Sequence, residues 1–246
     1  MIDAEFNYKA DLGNKDPDRY SRKLKEDHKE LWSKQLPDKR HLQLMIEKGK
    51  LIGYVDGTPL FDFNPDSFVN GYSRSKKYGS IINEWRNNAE IKEELAKYEQ
   101  RGYVISESII FPLKDDNNSS KWTINRARGC LYPIQDRTDL TLECIRRYYE
   151  GNEDSPLKSC LVRYSKFFAL FGSSREGFIN YVNFFLLNDL VTDNYSKVVN
   201  FTSSLDFAHP FPETEEEYLK YIKSINSFVA NRSARIINYI SKNNNK

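Results

Sequence analysis

The stretch EGFINYVNFFLLNDLV, residues 176–191, decides the fold class, because it is apolar on nearly every side of a helix. A helix of that kind is buried by its neighbours, so other elements must surround it. A membrane-spanning interpretation is disfavoured, since the stretch is shorter than the roughly 20 apolar residues that cross a bilayer. It also contains Asn180, Asn183, Asn188 and Asp189. The stretch therefore predicts the central helix of a bundle.

Other helices are predicted on both sides of this stretch. Each begins at a pattern that caps helices, such as Ser155 followed by Pro156, or Thr214 with Glu217 three residues later. The predicted helices cover residues 138–149, 155–171 and 214–240. The second half of the chain is therefore expected to be almost entirely helical.

The first half of the chain contains sequence patterns of both strands and helices. Alternating apolar residues and the turn pair Asp56-Gly57 predict two or three antiparallel strands within residues 42–63. Further strands are predicted at residues 103–105, 109–112 and 122–125, and a polar loop at 114–120. Helices are predicted at residues 16–32 and 75–100.

Together these elements predict an α+β fold. An N-terminal small mixed or antiparallel sheet with helices packs on a C-terminal helical bundle with one central apolar helix. We expect a single domain over residues 1–246. Its predicted parts are an irregular arm (1–16), a mixed part (17–137), a helical part (138–241) and a frayed tail (242–246).

The composition excludes several classes of protein. Aromatic residues make up 14 % of the 246 residues, which argues against bulk disorder. The 37 Lys and Arg nearly balance the 35 Asp and Glu, so a strong electrostatic nucleic-acid binder is not expected. The first residues turn polar at once and the three cysteines have no CxxC spacing. We therefore expect a cytoplasmic protein without a signal peptide or a membrane segment.

Standard catalytic and cofactor motifs are absent from the sequence. It has no phosphate-binding GxxxxGK[ST], GxGxxG, HExxH, GxSxG or zinc spacing, so no metal and no cofactor is predicted. Arg22 and His28 have the Arg-x5-His spacing found in metal-independent ribonucleases of the HEPN superfamily. Lys23 departs from that pattern, however, and a solvated basic helix face also explains the spacing.

The densest group of polar residues lies in TINRARG (123–129) and DRTDLTLECIRRYY (136–149). Arginine presents a rigid charged fork that suits phosphate groups, so an anion site is one interpretation. The predicted substrate-binding residues are Asn125, Arg126, Arg128, Arg137 and Arg147. Glu143 or Asp136 would act as acid or base, and Tyr148 would stack or donate a proton. In the structural interpretation, Asp136, Asp139 and Glu143 neutralise the same arginines and join the sheet to the bundle.

Several motifs resemble an uncharacterised bacterial family of about this length. They are LWSKQLP (31–37), the two segments just described, SPL (155–157) and FFLLNDLV (184–191), and the resemblance covers roughly residues 8–235. It implies a bacterial, cytoplasmic, single-domain protein. It implies no activity, cofactor or catalytic residue.

Three functional hypotheses remain open. The first is an enzyme acting on a phosphate-bearing substrate, RNA or a nucleotide, as an accessory defence or toxin-type effector. The second is a non-catalytic module that binds an anion or a partner through the same arginines. The third is an NAD-consuming transferase, supported only by Ser106, Glu107 and Ser108. No membrane partner is expected, and a homo-oligomer is compatible with the sequence but supported by no pattern in it.

Overall fold

The computed structural model describes residues 2–10, 12–13, 15–113, 122–203 and 206–244. The polar loop predicted at 114–120 lies outside the described residues. The predicted irregular arm consists of turns where it is described, and it packs on the rest of the chain. Within it, the Tyr8 hydroxyl donates a hydrogen bond to Asp27 Oδ2 at 2.5 Å, and Asn7 Oδ1 accepts one from the Tyr103 amide at 3.1 Å.

Five strands form one antiparallel sheet whose spatial order follows the sequence. They are β1 (Lys34–Gln35), β2 (His41–Glu47), β3 (Lys50–Val55), β4 (Thr58–Ser67) and β5 (Ser108–Pro112). The predicted strands within 42–63 and at 109–112 are confirmed. Asp56 and Gly57 have φ angles of 49° and 78°, as expected for a two-residue type I′ hairpin turn.

Ten helices surround the sheet in the described part of the chain. They are α1 (Pro17–Tyr20), α2 (Arg22–Trp32), α3 (Gly79–Trp85), α4 (Ala89–Arg101), α5 (Ile124–Cys130), α6 (Thr138–Tyr149), α7 (Lys158–Arg163), α8 (Ser165–Phe168), α9 (Ser174–Phe184) and α10 (Glu215–Asn244). The predicted α+β fold class is therefore confirmed. The capping pair before α10 is also confirmed, because the Glu217 amide donates to Thr214 Oγ1 at 3.2 Å.

Two strand predictions are wrong. Residues 122–125 do not form a strand, because the Thr123 hydroxyl accepts a hydrogen bond from the Arg126 amide at 3.3 Å and caps the start of α5. Residues 103–105 do not extend a strand either. The Glu107 amide donates to the Val104 carbonyl at 3.0 Å and closes a 3-10 turn over Ile105–Glu107, directly before β5.

Several predicted helices are interrupted. The helix predicted over 16–32 breaks at Ser21, which is extended and whose hydroxyl accepts from the Leu24 amide at 3.0 Å. The helix predicted over 75–100 breaks before Asn88, which caps α4 through its side chain. The helix predicted over 155–171 is divided into α7, α8 and a 3-10 turn. In each case a local cap or turn replaces a continuous helix.

The central apolar stretch forms a shorter helix than predicted. Helix α9 ends at Phe184, and Leu186 then adopts a φ of 55° that no helix continues through. Its aromatic rings are buried as predicted. Tyr181 and Phe185 lie 5.0 Å apart between ring centroids, and Trp32 of α2 lies 5.2 Å from Phe185.

Helix α10 connects the helical half to the sheet. Arg232 is fully buried, and its guanidinium donates to the carbonyls of Ser106 and Ser108, both at 2.9 Å, and to that of Phe185 at 3.2 Å. Lys34 of β1 donates to the neighbouring Phe184 carbonyl at 2.6 Å. Two cations therefore satisfy the carbonyls at the C-terminal end of α9, which the helix itself leaves without partners.

Candidate functional site

A polar cleft of about 710 Å³ lies between the N-terminal segment, α1, the end of β4 and the C-terminal end of α4. Its described lining comes from residues 7–9, 13, 15–18, 67–74 and 98–107, with Asp136 from the turn before α6. The volume is in the range of pockets that hold small molecules. The lining is mostly polar, with tyrosines among charged and amide side chains.

Asp18 of α1 is a carboxylate that two hydrogen bonds position in this cleft. Its Oδ1 accepts a hydrogen bond from the Tyr103 hydroxyl, and its Oδ2 accepts one from the Ser67 amide at 3.0 Å. Burial raises the pKa of Asp18 to about 6, although the hydrogen bond from Tyr103 opposes that shift. A carboxyl with this pKa exchanges its proton near neutral pH.

Asp18 belongs to an acidic cluster that also contains Asp66 and Asp136. The guanidinium of Arg128, which is fully buried, pairs with Asp66 through Nη1 and lies 3.3 Å from Asp136 Oδ1 through Nη2. Burial raises the pKa of both Asp66 and Asp136, while Arg128 opposes the shift. Asp66 and Asp136 thus share one guanidinium, and the charge of Asp18 further raises the pKa of Asp66, so simultaneous ionisation of all three carboxyls is unfavourable.

Strained backbone is concentrated on the same side of the cleft. Tyr72, Gln135 and Asp136 have φ angles of 60°, 49° and 61°, which non-glycine residues rarely adopt. The Tyr72 hydroxyl donates to the Gln135 carbonyl at 2.5 Å, and the Asp136 amide donates to the Arg128 carbonyl at 2.9 Å. Such strain persists where the surrounding structure enforces it, and it is concentrated at functional sites.

Three cations also line the cleft: Lys9, Lys15 and Arg74. Lys15 and Arg74 are exposed and Lys9 is half-buried, with its ammonium 5.6 Å from the centre of the Tyr103 ring. None of the three forms an ion pair with another described residue. The acidic residues Glu99 and Glu107, by contrast, are already paired with Arg86 and Arg101.

The predicted Arg/Glu residues do not converge on one site. Arg128 and Asp136 meet at the cleft, but Arg137 is fully buried elsewhere and forms a two-point ion pair with Asp139. Arg137 also donates to the Pro210 carbonyl at 2.9 Å, and Asp139 accepts from the Phe201 amide at 2.9 Å. This pair joins the start of α6 to the segment before α10.

A third group lies further along α6. Glu143 is buried and accepts hydrogen bonds from Arg146 at 2.7 and 2.8 Å and from Arg147 at 2.8 Å. Burial alone would raise the pKa of Glu143, but these hydrogen bonds lower it below its usual value. Arg147 also donates to the Asp154 carbonyl at 2.6 Å. Tyr148 is half-buried and its ring lies 5.1 Å from that of Phe168.

The two remaining predicted residues lie on α5. Asn125 is half-buried, and its Nδ2 lies 3.4 Å from the Pro65 carbonyl. Arg126 is exposed and does not line the cleft. Of the residues predicted from the sequence, Asp136 alone is part of the cleft lining, with Arg128 directly behind it.

The residues of the ribonuclease-type spacing and of the NAD-consuming transferase hypothesis lie outside the cleft or are buried. His28 is fully buried, whereas Arg22 is exposed and pairs with Glu26, so the two do not form a joint site. Ser106 and Ser108 are also fully buried. The Ser106 hydroxyl accepts from that of Ser233 at 2.7 Å, while the Ser108 hydroxyl lies 2.9 Å from His28 Nε2.

Sequence reasoning missed most of the cleft. The helix predicted over 16–32 starts with Asp16-Pro17-Asp18, and α1 does begin there with Asp16 as its N-cap, but Asp18 also serves as a cleft carboxylate. The one available signal was the second acidic residue, since a single N-cap explains only Asp16. Tyr103 gave no signal, because its hydrogen bond to Asp18 spans 85 positions.

A second, more apolar groove of about 500 Å³ runs along α10 and contains none of the predicted site residues. We favour the first cleft because it combines positioned carboxylates, strained backbone and cations. Among the described residues, no group of three or more His, Cys, Asp or Glu side chains could hold a metal ion. No helix in the described ranges is both long and apolar enough to span a membrane.

These features define an α+β protein with a charged small-molecule-sized cleft beside its antiparallel sheet. The chain belongs to DUF6994, a family of unknown function, whose family model matches residues 2–236. The resemblance to an uncharacterised family is thereby confirmed, and every residue that lines the cleft lies within the matched range. No curated protein and no solved structure gives a significant match to the chain.

Proposed function

We propose that the cleft binds a small phosphate-bearing molecule of about nucleotide size and that Asp18 transfers a proton to or from it. The observation that carries this proposal is the position of Asp18 in a 710 Å³ cleft that Lys9, Lys15 and Arg74 also line. Ammonium and guanidinium groups without ion-pair partners are good phosphate ligands. A carboxyl that titrates near neutral pH is suited to general acid–base catalysis.

The proposal keeps the substrate class predicted from the sequence and changes the residues that bind it. Arg128 and Arg137 have their guanidinium groups occupied by carboxylates of the protein, which supports a positioning role for Arg128 and a structural role for Arg137. A cleft of this size favours a mononucleotide or a single flipped-out nucleotide of RNA over a duplex.

The binding step is tested by calorimetric titration with adenosine 5′-monophosphate at low, constant salt. A Lys15→Ala/Arg74→Ala variant is expected to bind at least about tenfold more weakly, about 1.4 kcal/mol, because two charge-assisted contacts are lost. The matched control is Arg126→Ala/Lys166→Ala, which removes one arginine and one lysine outside the cleft. A loss of affinity in the control but not in the cleft variant would contradict the proposed cleft and favour the site at Arg126 that the sequence predicts.

Asp18→Asn separates an enzyme from a binding module. The amide keeps an oxygen for the Tyr103 hydroxyl but cannot exchange a proton, so turnover should fall at least about a hundredfold while affinity changes little. Wild-type protein that binds nucleotides without converting them would favour the non-catalytic alternative. A toxin-type effector further predicts impaired bacterial growth on expression of wild-type protein and normal growth with Asp18→Asn.

A further inference from the structure

We infer that Asp136 makes the cleft selective for nucleotides whose base carries an exocyclic amino group. This inference rests on the proposed function, since it names the part of the ligand that meets the acidic side of the cleft. It concerns specificity, whereas the proposed phosphate contacts concern affinity for nucleotides in general. The two are therefore separable by experiment.

Asp136 is the carboxylate of the cluster with an oxygen that accepts no hydrogen bond from a described residue. Asp18 accepts one hydrogen bond on each oxygen, from the Tyr103 hydroxyl and the Ser67 amide, which leaves each oxygen one further acceptor site for the proton it transfers. Asp66 does not line the cleft. The Asp136 side chain is 31 % exposed, its Oδ1 faces Arg128 at 3.3 Å, and no described residue donates to its Oδ2.

The direction of the Asp136 side chain is fixed by the backbone. Its φ of 61° is maintained by the hydrogen bond from its own amide to the Arg128 carbonyl and by the bond from Tyr72 to the adjacent Gln135. Because Arg128 is fully buried, the ion pair cannot swing into solvent. An acceptor held in this way requires little reorganisation when a ligand binds.

The charges that line the cleft favour a ligand that carries both an anionic phosphate and a hydrogen-bond donor. Lys9, Lys15 and Arg74 suit a phosphate, while the Asp136 carboxylate, which forms an ion pair with Arg128, offers acceptors and no donor. Adenine and cytosine present amino donors, and the corresponding positions of hypoxanthine and uracil present carbonyl oxygens. Once the ligand covers it, an acceptor that faces such an oxygen would be left without a donor and repelled, and sites built on a hydrogen bond discriminate strongly against that exchange.

The test compares matched nucleotide pairs by calorimetry: adenosine with inosine 5′-monophosphate, and cytidine with uridine 5′-monophosphate. The wild-type protein should bind the amino-bearing member of each pair at least roughly tenfold more tightly. Asp136→Asn should reduce this ratio to about one or reverse it, because an amide can also donate to a carbonyl. Asparagine tolerates positive φ, so the turn is expected to be retained, as checked by thermal unfolding.

Asp193→Asn is the matched control, since it removes the same charge at an exposed position outside the cleft. It should keep the wild-type ratio. Equal affinity of the wild-type protein for both members of each pair overturns the inference and leaves the proposed function standing. Absence of binding for all four nucleotides overturns both. Where Asp136→Asn does not fold, equal affinities of the wild-type protein within each pair still overturn the inference.

Discussion

The imidazole of His28 is buried between α2 and β5 and is held in one tautomer. Trp32 Nε1 donates to His28 Nδ1 at 2.9 Å, so the hydrogen is on Nε2, which donates to Ser108 Oγ at 2.9 Å. Burial and the nearby Arg232 lower the pKa of His28 to about 3. A neutral, enclosed imidazole of this kind stabilises the fold and does not reach a substrate.

The pH dependence of stability follows from this shift. The folded-state pKa lies below the usual 6.5, so the unfolded chain binds more protons as the pH falls from about 6.5 towards 3, and stability is lost over that window. Relative to His28→Gln, wild-type protein should lose about 1 to 3 kcal/mol between pH 6.5 and 4.5 in denaturant titrations. His41→Gln, at an exposed histidine of β2, should leave the dependence almost unchanged. Parallel curves for wild type and His28→Gln would contradict the assignment.

The same residues show what sequence can and cannot predict about a site. Asp136 was predicted because it lies in a dense polar segment. Asp66, which shares Arg128 with it, is 70 positions away, and nothing local marks it. The pattern of Arg128, Arg137 and Glu143 fits both an exposed anion site and a buried network of ion pairs. Burial decides between them, and burial depends on contacts across the whole fold.

At the scale of elements, the presence of helices and strands was predictable and their ends were less so. The apolar stretch at 176–191 has no residue that excludes a helix after Phe184. Helix α9 ends there in the structure, where Lys34 and Arg232 bind the Phe184 and Phe185 carbonyls. These cations come from β1 and α10, so the termination is a tertiary effect that local periodicity does not contain.

Helix α10 also positions the loop 69–74 that lines the cleft. The Tyr221 hydroxyl donates to the Asn70 carbonyl at 2.8 Å, and that of Tyr218 donates to the Gly71 carbonyl at 2.6 Å. Tyr221→Phe should lower the free energy of unfolding by about 1 to 2 kcal/mol, because a buried carbonyl loses its donor. It should also weaken nucleotide binding, since Tyr72 and Arg74 lie in this loop.

Chemical denaturation with nucleotide titration checks this prediction. The control is Tyr20→Phe, at an exposed tyrosine, which should change stability by less than about 0.5 kcal/mol. A Tyr221→Phe protein with full stability and full affinity would show that α10 does not support the loop. Lower stability with unchanged affinity would limit its role to the fold.

At the scale of the whole molecule, buried ion pairs join parts that are distant in sequence. Arg128 connects α5 to Asp66 on β4, and it does so beside the cleft. The Arg137–Asp139 pair is fully buried and reaches the Pro210 carbonyl and the Phe201 amide. The structural interpretation of the polar segments 123–129 and 136–149, in which carboxylates neutralise the arginines, therefore has its best support at Arg137. The Arg128–Asp66 pair lies directly behind Asp136, which lines the cleft.

Substitutions in the Arg137–Asp139 pair test whether Arg137 has a structural role or binds phosphate. Asp139→Asn leaves a buried guanidinium without a counter-charge and should cost about 3 to 5 kcal/mol of unfolding free energy. Arg137→Met/Asp139→Asn should recover part of that loss, because the unpaired charge is gone while the Asn oxygen still accepts from Phe201. Denaturant titration of the wild type, Arg137→Met, Asp139→Asn and the double variant measures the coupling between the two residues. If Arg137 were instead a phosphate ligand, Arg137→Met would keep its stability and lose nucleotide affinity, the opposite of the outcome that its burial predicts.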